Sequence, residues 1–204
     1  MALDGTYAGL QASIAAWINR TDLTAVIPDF ISLAEAKISR DLRLRKQIVL
    51  STLSTVASTR GVNLPSDWLQ FENVSIDGNP ERQLTYCTVE HLDYQYPNGD
   101  PSGKPSLFTI EGDQILFGPM PDAVYTVNIF YYQKFTALSS GANWLFTNHP
   151  NIYLNLALSY ACHYIKDAKR TAEYLDLYER DAAALQTQDD MAQHSGSSLR
   201  VRST

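Results

Sequence analysis

Cysteine is scarce in this chain: two, Cys87 and Cys162, in 204 residues. Two thiols cannot build a disulfide framework, and they suit a reducing compartment and buried positions. No CxxC or HExxH spacing occurs, which removes two familiar zinc frames. Three of the four histidines, His91, His149 and His163, are the further ligand candidates. Cys162 and His163 are adjacent, so on a helix they point about 100° apart and do not chelate together. Cys87 and His91 have an i, i+4 spacing but no second pair to complete a site. All five read as structural residues, and no metal or other cofactor is expected.

Long apolar runs are missing as well. No stretch approaches the roughly 18 apolar residues of a membrane-spanning helix, because Asn155, Ser159 and His163 interrupt the best candidate. No membrane partner is expected. The opening residues, MALDGTYAG, hold no basic residue and no apolar core, so no export signal is expected. Motifs of catalysis are absent too. There is no GxSxG elbow. The stretch GDPSGKP, Gly99 to Pro105, is one residue too short for a phosphate loop and has Pro105 where a hydroxyl residue belongs. Carboxylates are frequent, but none pair in an acid–base context. No catalytic residue is assigned, and an enzyme is not expected.

Positive charge is in short supply over most of the chain. There are 16 basic and 22 acidic residues, and every acid lies at or before Asp190. Two of the basic residues, Arg200 and Arg202, fall in the last ten, SGSSLRVRST. The rest therefore sets 14 basic residues against 22 acids, a net −8, and the end carries +2. An acidic body argues against tight nucleic-acid binding, which needs several phosphate-neutralising cations.

Helical and strand textures are both present. Leu10, Ile14, Trp17 and Ile18 recur at helical spacing over residues 6–20. A second helix starts at Pro28, a good first-turn residue, with Phe30, Leu33, Ala34, Ile38 and Leu42 as its stripe. Its end is basic, with Arg40, Arg43, Arg45 and Lys46. These complement the helix dipole and are also a candidate partner contact. From Gln47 the texture turns to strands. IVLSTLSTV is β-branched, and LPSDWLQFENVSIDG ends on an Asp-Gly turn signal. VEHLDYQYP fits a short helical turn. SLFTI and QILFG flank Glu111-Gly112-Asp113 as a hairpin. VYTVNIFYYQ alternates, with Tyr125, Val127, Ile129 and Tyr131 on one face.

The segment NWLFTNHPNIYLNLALSYACHYIKD is apolar over most of a helix's circumference, which suits the middle of a domain. Thr147 and Asn148 are candidate caps, His149 lies near the cap, and Pro150 opens the first turn. Leu154, Leu158, Ala161 and Ile165 form one stripe, Tyr153, Tyr160 and Tyr164 another. Asn151, Asn155, Ser159 and Lys166 make a narrow polar line, and His163 is expected in the packed face. A last helix over residues 168–193 turns Tyr174, Tyr178, Ala182 and Leu185 to one side. Tyr is abundant, with 12 residues; aromatic strand faces bind sugars in some proteins, but Tyr is more often core or subunit interface.

The expected fold is α+β. Residues 1–46 and 136–194 form a helical bundle, residues 47–135 a β-rich insertion, and residues 195–204 a flexible tail. Taken in order, IPDFISLAEAKISRDLR, LPSDWLQFENVSIDG, GKPSLFTIEGDQILFGPMPDAVYTVNIFYYQKFTALS and NWLFTNHPNIYLNLALSYACHYIKDAKRTAEYLDLYERDAAAL resemble the head-to-tail adaptor proteins of tailed bacteriophages. The more telling parts are Asn143-Trp144-Leu145 before a Pro-started helix, and Pro119-Met120-Pro121-Asp122 after the hairpin. The resemblance runs over roughly residues 5–202. It implies a structural ring of about twelve copies, with the closed symmetry usual for homo-oligomers. Such a ring binds the phage portal protein, extends the DNA channel and offers a docking surface to tail, nozzle or stopper proteins. DNA passes through it without specific binding. The expected place is the virion neck, after assembly in the host cytoplasm. The C-terminal segment of such proteins reaches the portal, which makes Leu199, Arg200, Val201 and Arg202 the expected portal contacts. The rival readings are another neck or tail-completion protein, a stopper or terminator, and a small carbohydrate-binding module or enzyme.

Overall fold

A computed structural model describes residues 5–141 and 143–193. The tail over residues 195–204, with Leu199, Arg200, Val201 and Arg202, lies outside the described residues. The chain opens with helices α1 (Tyr7–Ile18) and α2 (Ile27–Asp41). Strands β1 (Ile48–Ser54), β2 (Gly61–Asn63), β3 (Trp68–Ile76), β4 (Arg82–Gln83) and β5 (Thr85–Tyr86) follow. Next come helix α3 (Val89–Gln95) and strands β6 (Leu107–Glu111), β7 (Gln114–Gly118) and β8 (Thr126–Gln133). Helices α4 (Trp144–Asn148), α5 (Pro150–Tyr164) and α6 (Ala168–Gln193) complete the order. The fold is α+β. The chain divides into two compact units, one of residues 1–44 and 135–204, the other of residues 45–134.

In the first unit, α5 is the axis: α1, α2, α4 and α6 each pack against it. Ten of its 15 residues are buried, which is why its sequence is apolar almost all round. Thr6 starts α1 by accepting the Gly9 N–H at 2.9 Å, and Asn19, at φ 54°, ends it in the left-handed conformation that Asn tolerates. Leu10, Ile14 and Ile18 are buried. Trp17 shares their spacing yet is 56% exposed. It sits in the last turn, at the rim of the core, and leans on the Tyr174 ring with centroids 6.4 Å apart.

In α2 the buried arc is Ile27, Phe30, Ile31, Ala34 and Ile38. Leu33, expected in that stripe, is exposed instead. The arc is centred between Phe30 and Ile31, so a step of three from Phe30 rotates out of it while a step of one rotates in. The polar line on α5 also has a partner. Asn151 and Asn155 both donate to Asp181 Oδ2 on α6, at 2.5 and 3.3 Å. Ser159 is buried and donates to the Leu156 carbonyl at 2.7 Å. Lys166 lies beyond the helix, at φ 62°.

Two further expectations on this segment are corrected. Thr147 and Asn148 do not cap α5; they belong to the short helix α4, which Asn143 caps by accepting the Phe146 N–H at 2.9 Å. The N-cap of α5 is His149, and its side chain makes no capping bond. His163 is exposed, not packed, because it falls in the last turn of α5, where the buried residues stop at Cys162. Trp144 packs its ring on Phe135 at 5.8 Å, and Leu145 and Phe146 are fully buried.

The second unit holds two four-stranded sheets, in the orders β1-β8-β3-β4 and β2-β7-β6-β5. Its core contains Val74, Ile76, Leu84, Phe108, Ile115, Phe117, Val127, Ile129 and Tyr131. The alternation in β8 puts Val127, Ile129 and Tyr131 inward, as the period of two requires. Strands β6 and β7 form the hairpin across Glu111–Gln114, with Gly112 at φ 58° in the turn. The short run from Arg82 to Tyr86 changes sheets: β4 pairs with β3, and β5 pairs with β6.

Candidate functional site

The basic residues proposed as a partner contact do not form one helix end. Helix α2 stops at Asp41, and the Leu42 N–H closes it on the Ile38 carbonyl at 3.0 Å. Only Arg40 lies in its last turn, and it is exposed. Arg43 turns back on the helix and donates one guanidinium nitrogen to the Ser39 and Leu42 carbonyls, at 2.7 and 2.8 Å. It satisfies carbonyls that a helix terminus leaves open. Arg45 and Lys46 belong to a separate 3-10 turn, Arg45–Gln47, that begins the second unit. The expectation of a single dipole-matched cluster from Arg40 to Lys46 is corrected accordingly. Leu42 takes an extended conformation, with ψ 132°, and that breaks the helix before the later cations.

The thiols and imidazoles stay apart. Cys87 sits between β5 and α3, where its sulfur contacts the Phe108 carbonyl at 3.6 Å. Cys162 is buried on α5. Burial pushes both thiols above the usual cysteine range. Thr88 caps α3, so Cys87 precedes that helix and its i, i+4 relation to His91 is not a helical one. Among the described residues no three His, Cys, Asp or Glu side chains gather to hold a metal ion.

The loop at GDPSGKP is pinned by structure on both sides. Gly99, at φ 87°, lies so close to Met120 that a Cβ there would come within 2.8 Å of the Met120 Cβ. Gly103 donates its N–H to the Met120 carbonyl at 2.8 Å. Lys104 reaches the Asp77 carbonyl at 3.2 Å and lies over the Tyr125 ring. A lysine held this way is a brace between turns, not a phosphate ligand.

Several polar clusters carry perturbed groups, among them one around Asp67 and one around Asn143. Asp67 accepts from the Tyr131 hydroxyl at 3.0 Å and from the Gln133 amide at 2.5 Å. Burial, aided by that hydrogen bond, pushes Tyr131 up to about 12. In the helical unit Asn143 donates to the Tyr153 hydroxyl at 3.0 Å and to the Thr136 carbonyl at 2.8 Å. Burial drives Tyr153 well above the usual tyrosine range. Each cluster lies within one unit and ties neighbouring elements together. Neither puts a nucleophile beside a base.

The feature that sequence reasoning missed is a groove of about 410 Å³ in the β unit. Trp68, Phe71, Leu84, Tyr86, Phe108 and Ile110 line it, from β3, the sheet-changing run and β6. Phe71 and Phe108 meet edge to face at 5.8 Å, and Tyr86 meets Phe108 at 5.6 Å. The abundance of aromatics was the only hint. Nothing in the linear pattern says that β4 is too short to cover β3.

Across both units, residues 5–202 match a family model described as SU10 adaptor protein. The chain belongs to that family. This adaptor is therefore a phage head-to-tail adaptor, a structural protein of the virion neck that works with portal and tail components. The match takes in the helical unit and the β unit together, so the strands are part of the adaptor and not an added domain. The family is a structural one, not a family of enzymes. A search of the curated proteins finds no match. Among the described residues no helix is long and apolar enough to cross a membrane.

Proposed function

We propose that the adaptor assembles as a ring of about twelve copies, one of the closed homo-oligomers that repeat a single interface. The ring binds below the portal, extends the DNA channel and presents the tail docking surface. The observation that carries this reading is the family match over residues 5–202. The charge balance is in keeping with it. A body at net −8 does not hold a polyanion, so DNA slides past without specific binding.

The C-terminal segment is the proposed portal contact, through Leu199, Arg200, Val201 and Arg202. In an extended segment, Leu199 and Val201 face one way and the two arginines the other. That alternation suits addition to a strand edge of a partner. Single exposed ion pairs contribute only about 0.2–1 kcal/mol, so one tail binds weakly. Copies held in a ring act at high effective concentration and together bind firmly. Arg40, Arg43, Arg45 and Lys46 stay candidates for a protein contact, no longer as one helix end.

The copy number in the virion neck tests the ring. Imaging of necks, or quantitative mass spectrometry against the portal protein, should give about twelve adaptors, the number expected of the ring. Six copies, or one central copy, would overturn the ring of twelve.

A further inference from the structure

We infer that copies of the adaptor join edge to edge, with strand β1 of one copy adding to the open stretch of β3 in the next. This rests on the ring reading above and names the surfaces that build it. β1 is one edge of the sheet ordered β1-β8-β3-β4, and the two-residue β4 at the opposite side leaves most of β3 open. Among the described residues β1 pairs only with β8, so its other side presents a row of backbone groups without a strand partner there. β3 is covered by β4 only at Ser75 and Ile76, and by the Leu84 N–H on the Val74 carbonyl. From Trp68 to Asn73 its outer edge has no strand partner among the described residues.

Edge strands in soluble proteins carry devices against such pairing: charges, proline, bulges or a cover. β1 has none of the first three. No charged residue and no proline occurs from Ile48 to Ser58. Its register with β8 is continuous. Leu50, in the middle, is 58% exposed. An unprotected, β-branched edge of this kind is a template for another strand.

The receiving side matches it. β3 carries two register irregularities against β8, and bulges of this kind bend a strand. Its open stretch borders the aromatic groove, which parts β3 from β6. Glu72 is the sole charge between Trp68 and Asn73, so an uncharged strand meets little electrostatic resistance. Two buried polar atoms on that stretch lack partners, the Trp68 indole N–H and the Asn73 side-chain oxygen. β1 brings Ser51, Thr52 and Ser54, whose hydroxyls can both accept and donate. Because the joined surfaces differ, the contact is heterologous, and a heterologous contact that repeats with a closing rotation gives a ring. Both strands run antiparallel to β8, hence parallel to each other, so a continued sheet makes the junction a parallel pair.

The test uses the full chain assembled on isolated portal rings, with Leu50→Cys and Gln70→Cys introduced together. Both positions are exposed, and the native thiols, Cys162 buried and Cys87 half-buried, set a background that the unaltered protein measures. A short bismaleimide should convert the double variant into a ladder of covalent multimers on a denaturing gel. Neither single variant should give that ladder. Leu50→Lys, the charge that guards natural edges, should keep the unaltered circular dichroism and melting temperature while ring formation falls about tenfold. Rings seen by electron microscopy without a ladder overturn the strand pairing and leave the ring reading intact. If the unaltered chain forms no ring on the portal, the ring reading falls and the pairing falls with it.

Discussion

Tyr178 on α6 donates its hydroxyl to Asp41, the last residue of α2, at 2.9 Å. Lys37 grips the same carboxylate oxygen at 2.8 Å and lies over the Tyr178 ring. Gln186 adds a bond to the Asp41 carbonyl at 3.0 Å. Residues 137 apart in sequence thus close the helical unit at one point, and α6 adds to the bonds that Leu42 and Arg43 already make at the end of α2.

Removal of the hydroxyl alone has a bounded cost. Tyr178→Phe keeps the packing, and Asp41 is exposed enough to take water in exchange, so the loss should be about 0.5–1.5 kcal/mol. Tyr178→Ala empties a buried site and should cost about 3–5 kcal/mol. Urea melts of the two variants measure the gap. Equal losses would mean that the ring, only 1% exposed, contributes nothing by packing.

Asn143 should be harder to replace than its cap role alone suggests. It caps α4 and also serves Tyr153 and Thr136. Asn143→Ala removes the cap and leaves the Tyr153 hydroxyl and a carbonyl short of partners, for a loss of about 2–4 kcal/mol. Asn143→Asp keeps the acceptor for the Phe146 N–H but retains one donor while protonated and none once ionised. It should fall between Ala and the unaltered chain near pH 4 and lose ground near pH 7, when about one more charge is buried. Chemical denaturation at the two pH values checks the order.

Glu35 gives a pH dependence of defined sign. Burial raises its carboxyl above the usual range, opposed in part by the Leu138 N–H, which it accepts at 2.6 Å. A raised carboxyl favours its protonated form in the fold. Its contribution is therefore fully present at low pH and is lost as pH rises through the folded pKa. Glu35→Gln keeps an oxygen for the Leu138 N–H without the charge. Relative to the unaltered protein, this variant should gain stability between about pH 4 and pH 7. A difference in melting temperature that stays flat over that range would show that Glu35 is ionised as freely in the fold as in the unfolded chain.

The C-terminal proposal separates binding from folding. Deletion of residues 198–204 should leave circular dichroism and melting temperature unchanged, since that segment has little apolar content to bury. Attachment to isolated portal rings should be slowed or lost. Truncated protein that attaches as well as the full chain would move the portal contact to the helical unit.

Much of the helical unit was legible because its signals are local. The period of 3.6 marked α1, α2, α5 and α6, and the all-round apolarity of α5 announced its central place. The hairpin and β8 were legible for the same reason, in a Glu-Gly-Asp turn and a period of two. What failed was assignment at the ends and rims. Trp17 and Leu33 have the right residue type for a core, but burial depends on which neighbour covers that arc, and spacing does not encode the neighbour. Arg43, Arg45 and Lys46 looked like one basic helix end because charge is visible in a sequence and the extended turn at Leu42 is not. His163 looked packed because it follows a buried run that stops one residue earlier.

The sequence by itself determined most of the adaptor's elements, its acidic balance and, through ordered motifs spread along the chain, its kinship. Only the tertiary structure decided that β4 leaves most of β3 uncovered, that β1 is an unguarded edge of the same sheet, and that an aromatic groove opens beside β3. Strand length and side-chain period are local properties. Which strand lies beside which, and which edge is left over, depends on pairing between distant segments, and that pairing is fixed only when the whole unit folds.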